Sequence, residues 1–165
     1  MRAAAVHEGK DVIALPSMRE RLQRYAALRM ENENRLERLA RLKADAELPA
    51  QREADGSAHT GSSGDRMARA VERYMAYEDE VRPLIAANER EMADVRAAVD
   101  ALDDPCEREV LRIRYLDAES FRPAPWWKVA LAMYGGAERR HVDAALRVHR
   151  RAMEQLEKMR INDNV

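Results

Sequence analysis

Met67, Val71, Tyr74, Glu78, Val81, Ile85, Asn88, Met92, Val95, Val99 and Leu102 recur at alternating steps of three and four residues. That spacing is a heptad seam, with polar breaks at Glu78 and Asn88. It predicts a continuous helix from about Arg66 to Leu102, roughly 55 Å long at the α-helical rise. Such a helix cannot bury its stripe alone. It needs another helix of the same chain, a partner subunit, or both. Polar residues on a seam set register and partner number at a cost in stability. Pro83 lies inside the pattern, lacks an N–H and crowds the preceding turn. A kink near Asp79 to Pro83 is expected, with a true break as the alternative.

A second long helix is expected before it. Ser17 and Glu20 form a capping box ahead of Met18, and the apolar spacing carries the helix to about Glu47. Leu22, Tyr25, Leu28, Leu36, Leu39 and Leu42 would face inward, with Asn32 interrupting the stripe. Residues 1–16 show little periodicity and read as a loose tail. Pro49 to Asp65, "PAQREADGSAHTGSSGD", is dominated by Pro, Gly, Ser, Thr and Asp and reads as a loop over 49–64, with Asp65 as a helix cap. Residues 17–103 thus form a helical arm.

Charged residues make up 36% of the chain and aromatics 5%, a mix that suits long helices better than sheets. One cysteine permits no intrachain disulfide and points to a reducing compartment. The apolar runs are far short of a membrane span, and the N-terminus carries no signal-peptide pattern. The expectation is a cytoplasmic protein without membrane contact.

Residues 104–160 carry a different pattern. Asp104 as cap, Pro105 in the first turn and Glu107 three residues on start a helix that should reach Leu116. Val110, Leu111, Ile113 and Leu116 supply core, while Arg108, Arg112 and Arg114 project charge. After the loop "DAESFRPAP" a short helix is expected from Trp126 to Tyr134, stopped by Gly135-Gly136. A last helix begins at about Glu138 or Val142 and ends near Met159. Ala145, Val148, His149, Ala152, Leu156 and Met159 should pack inward. Arg140, Asp143, Ala144, Arg147, Arg150 and Arg151 fall on the opposite side. Pro105 to Arg160 holds 12 Lys or Arg against 8 Asp or Glu, whereas residues 1–104 hold 17 against 21.

Three helices with a basic last one form a helix-turn-helix candidate that would place that helix in the major groove of double-stranded DNA. Arginine is the best side chain for bidentate contact with guanine and phosphate. The candidate DNA-binding residues are Arg139, Arg140, Arg147, Arg150 and Arg151, with Ala144 small enough for close approach. His141 would meet a phosphate, and Arg112 and Arg114 would anchor the backbone from the first helix or pack at its edge. The bland alternative is an amphipathic helix with an Arg-rich solvated face.

Other chemistry is thinly represented. Trp126 suits core and Trp127 partial exposure. His7, His59, His141 and His149 lack metal-ligand spacing. Cys106 sits at a helix start with no placed base beside it. No glycine-rich phosphate loop appears. Neither enzymatic activity nor a cofactor or metal is expected.

The segments "EREVLRIRYLD", "WWKVALAMYG" and "ALRVHRRAMEQL" resemble region 4 of bacterial sigma factors. They are more similar still to small phage and prophage regulators of the RinA/ArpU type, which join a helical region to such a domain. The match rests on Glu107–Leu111, Arg114-Tyr115, Trp126, Val129-Ala130, Arg147, His149, Arg151-Ala152 and Leu156. The stretch "YGGAERRHVD" is longer than the family's usual turn between second and third helices. The resemblance implies a transcriptional regulator of phage or prophage genes. Its arm would serve homodimerisation or contact with RNA polymerase. The alternatives are a helical interaction or assembly protein and a small-terminase-like DNA packaging protein. The fold expected is all-α: a long antiparallel hairpin, or coiled-coil arm, followed by a small trihelical helix-turn-helix domain.

Overall fold

The structure, a computed structural model, describes residues 16–47 and 63–162, with side chains for all of these except Ser63 and residues 160–162. The tail expected over 1–16 and the loop expected over 49–64 lie almost wholly outside the described residues. The described chain is all-α: α1 Met18–Glu47, α2 Ser63–Asp100, α3 Pro105–Leu111, α4 Trp126–Tyr134 and α5 Arg139–Asn162. α3 runs on into a single π-helical turn, Arg112–Leu116.

α1 starts where its capping box places it. Ser17 N donates to Glu20 Oε2 at 2.7 Å, and Glu20 N donates to Ser17 Oγ at 3.3 Å. α2 begins three residues earlier than the sequence suggests, which puts Asp65 in its first turn, where a carboxylate faces free amides. Pro83 neither breaks nor ends α2. It lies on the exposed side, where the Asp79 carbonyl that loses its partner is open to water.

α1 and α2 pack antiparallel. Arg21 meets Asp94 at 3.1 Å, Arg96 Nη1 donates to Tyr25 Oη at 3.0 Å, and the Arg38 guanidinium lies 4.5 Å from the Tyr77 ring centre. The polar breaks in the two stripes meet each other. Asn88 Nδ2 donates to Asn32 Oδ1 at 3.0 Å, and Asn32 Nδ2 donates to the Ile85 carbonyl at 3.2 Å. Asn32 is buried and fully used, so the pair stabilises one register of the hairpin over its neighbours.

The seam is buried most fully toward one end, with Val81 buried farther along it. Leu22, Tyr25, Leu28, Met92, Val95 and Val99 join Val110, Leu111, Tyr115, Val129, Ala145, Ala152 and Leu156 in a single core. The arm and the trihelical unit therefore share apolar burial across the 103/104 boundary. Toward the far end only two helices run side by side, and each stripe keeps one flank in water. Leu36, expected inward, is 49% exposed, and Met67 and Val71 of the expected seam are also exposed.

Candidate nucleic-acid interface

The trihelical unit is assembled from caps and two arginine clamps. Asp104 accepts from Cys106 N at 2.7 Å, and Pro105 occupies the first turn, as the sequence suggests. At the other end, Asp117 N reaches back to the Arg112 carbonyl at 2.9 Å, the five-residue closure of a π turn. Arg29 of α1 donates to the Leu116 carbonyl at 2.8 Å and also to the Ala118 carbonyl, so a side chain of the arm caps this turn. Ala124 N donates to the Arg114 carbonyl at 2.8 Å, and the Arg114 guanidinium donates back to the Ala124 carbonyl. The same guanidinium lies 4.3 Å from the Trp126 ring centre.

Those contacts separate two candidates that the sequence treats alike. Arg114, expected to project charge toward DNA, is spent inside the fold, tying the 117–125 loop to the π turn. Arg112 is exposed but lines a hollow with Tyr25, Arg29 and Arg96, on the side of the unit that faces the arm. Neither is brought onto the outward face of α5.

α4 ends at Gly135, whose φ of 71° is the left-handed conformation that a side chain resists. The stretch left open in the sequence, residues 136–142, divides at residue 138. Gly136 to Glu138 form the turn, and α5 starts at Arg139, between the two expected starts. His141 Nδ1 lies 2.6 Å from Glu138 Oε2, and its ring stacks on Tyr134 at 6.1 Å. Glu138 is held below the usual carboxylate range, first by its own backbone amide and then by His141. His141 thus braces the turn. A side chain on Gly136 would meet the Glu138 carboxylate and the His141 ring, which would have to shift to admit it.

α5 divides by face as its periodicity suggests. Ala145, Val148, Ala152 and Leu156 are buried, and so is Met153, which the sequence reading left out. Met153 stands one residue beyond Ala152, on the flank that α1 covers, so α5 alone does not reveal its burial. His149 is half-buried among Tyr115, Trp126 and Arg114. Tyr115 Oη and His149 Nε2 are 3.0 Å apart. Burial, followed by the charges of Arg114 and Arg19, pushes the His149 pKa down to about 4, so the ring is neutral at pH 7.

Arg139, Arg140, Arg147, Arg150 and Arg151 are exposed on the outer side, with Ala144 half-buried among them. Arg140, Arg147 and Arg151 stand at steps of seven and four, so they share one column about 16 Å long. Arg140, Arg147 and Arg150 make no ion pair or hydrogen bond among the described residues. Arg139 leans toward Asp143 at 3.9 Å. Arg151 lies 3.5 Å from the buried Glu107 and 3.9 Å from Asp104. Asp143 shares the face, where a carboxylate can accept from a cytosine amine.

No family model, curated protein or solved structure matches this chain.

Proposed function

We propose that the chain is a DNA-binding transcriptional regulator of phage or prophage genes, with α5 entering the major groove of duplex DNA. The supporting observation is the exposed column on α5. Arg140 and Arg147 are exposed and make no ion pair or hydrogen bond among the described residues, on a helix packed against the core on its other side. Free guanidiniums on a rigid helix lose little on meeting phosphate or guanine, because no internal contact has to break first. Arg151 extends the column, and Ala144 leaves room between the arginines. Arg139 and Arg150, eleven residues apart, share one flank of it and would reach phosphates on that side.

The arm would carry the assembly role. Leu36, Met67, Val71, Met75 and Leu84 are exposed apolar side chains on α1 and α2, more than a two-helix hairpin can cover by itself. A homodimer through this region would give two reading helices and a two-fold symmetric site. Contact with RNA polymerase is the other use that the family resemblance implies. The same apolar surface also favours a second reading, a helical assembly protein that binds no DNA; a small-terminase-like ring is its DNA-binding variant.

Fluorescence anisotropy of labelled duplexes, titrated at several salt concentrations, tests the proposal. Arg140→Ala/Arg147→Ala is the informative variant, because neither residue holds another part of the fold. Binding should weaken as salt rises, with a log–log slope of about −0.9 per phosphate neutralised. The slope should become shallower by about two units in the double variant if both side chains meet phosphate. Salt-independent or variant-independent binding sinks the DNA reading and leaves the assembly protein. Mass measurement in solution then separates a dimer from a ring.

A further inference from the structure

A groove of about 820 Å³ lies where the start of α1, the π turn, α4 and α5 come together. That volume is within the range of small-molecule pockets, roughly 300–1,000 Å³. Aromatic rings line its floor. The Trp126 and His149 ring centres are 5.0 Å apart at nearly a right angle, and Tyr115 lies 5.8 Å from His149. Leu146 and Met153 complete the apolar part.

The rim is cationic. Arg19, Arg150 and Lys158 line it, and none of the three makes an ion pair among the described residues. Arg114 lies deeper, and its Nε is buried without a hydrogen-bond partner. Glu154 and Glu157 also line the groove, so four cations stand against two carboxylates. The positive excess acts on His149, which the neighbouring Arg114 and Arg19 help keep unprotonated.

We propose that this groove binds a small aromatic carboxylate, its ring against Trp126 and His149 and its carboxylate between Arg19 and Arg150. An aromatic floor gives a planar ring a stacking surface. Unpaired guanidiniums give a carboxylate charge-assisted hydrogen bonds. Arg150, Glu154 and Lys158 of the groove border the Arg140, Arg147 and Arg151 column, so an occupant would take up Arg150 and cover one flank of that face. It would bridge the arm to α5 and bias how rigidly the two are joined; that consequence, unlike the binding itself, rests on the DNA-reading proposal.

The test uses the full chain carrying Trp127→Phe, which leaves Trp126 as the only indole and changes a residue outside the groove. Benzoate and 4-hydroxybenzoate are titrated without DNA while Trp126 fluorescence is followed, with benzamide as the neutral isostere. The expected result is a saturable change with a dissociation constant below about 1 mM. Arg19→Ala and Arg150→Ala should each weaken it about tenfold, the scale of one charge-assisted contact, with circular dichroism unchanged. Benzamide should bind much more weakly. The proposal is overturned by no saturation up to about 10 mM, by benzamide binding equally well, or by folded variants of unchanged affinity. Because DNA is absent, its failure is independent of that of the DNA-reading proposal, and a duplex titration with and without benzoate then reads the coupling.

Discussion

Two side chains of α5 show how neighbours set a residue's role. Burial, with the charges of Arg114 and Arg19, pushes the His149 pKa down to about 4 from its ordinary 6.5. As pH falls, the unfolded chain therefore takes up this proton before the folded one. The stability that neutral His149 contributes is complete above pH 6.5 and is lost progressively down to about pH 4. Thermal midpoints measured across that window should fall in the parent chain. In His149→Phe the fall should begin only where carboxylates titrate, and a parallel decline in both proteins would show that His149 is not the group responsible. Arg151 and Arg147 form the second comparison. Arg151 faces the buried Glu107 carboxylate at 3.5 Å, whereas Arg147 makes no ion pair or hydrogen bond among the described residues. Arg151→Ala should therefore cost roughly 1–3 kcal/mol by leaving that carboxylate unpaired. Arg147→Ala should stay within about 0.5 kcal/mol of the parent. Urea unfolding distinguishes them, and equal midpoints would mean that Glu107 does not depend on Arg151. The sequence marks both residues as outward and basic. It does not show that only one of them is also structural, because Glu107 lies 44 residues away on another helix.

At the scale of elements, the caps and stops were readable because they are local. The Ser17/Glu20 box, Asp104-Pro105 and Gly135 all act within one turn of the residues that reveal them. Pro83 was read as a kink or a break, and the helix continues through it. The surrounding turns hold there because α1 packs along the opposite side of α2 and Asn32 bonds the Ile85 carbonyl. Pro83→Ala restores an N–H to the Asp79 carbonyl and should raise stability by about 1–3 kcal/mol in urea unfolding. A lower midpoint would mean that the backbone geometry fixed by Pro83 helps bring Asn32 and Asn88 together. The π turn had no local signal. Arg29, from another helix, caps it at the carbonyls of Leu116 and Ala118.

Across the whole molecule, the shared core makes a strong claim about independence. The sequence divides at Asp104, and its caps there are real, but Leu22, Tyr25, Val95 and Val99 pack in the same cluster as Val110, Leu111 and Leu156. A fragment covering 104–160 would lose those partners and the Arg29 clamp together. Circular dichroism should show it substantially less helical than the same segment in the full chain, with no cooperative melt. A cooperatively melting fragment would show instead that the trihelical unit folds alone. The chain's own pattern settles what depends on near neighbours: that it is helical, where the helices start and stop, and that α5 carries arginines on one side and aliphatics on the other. Packing settles the rest. It covers the seam at one end and leaves Leu36, Met67 and Val71 in water, turns Arg114 inward onto Trp126, and holds His149 neutral. Each of those outcomes needs a contact between residues far apart in sequence, and helical periodicity reports which face a side chain is on without naming what that face will meet.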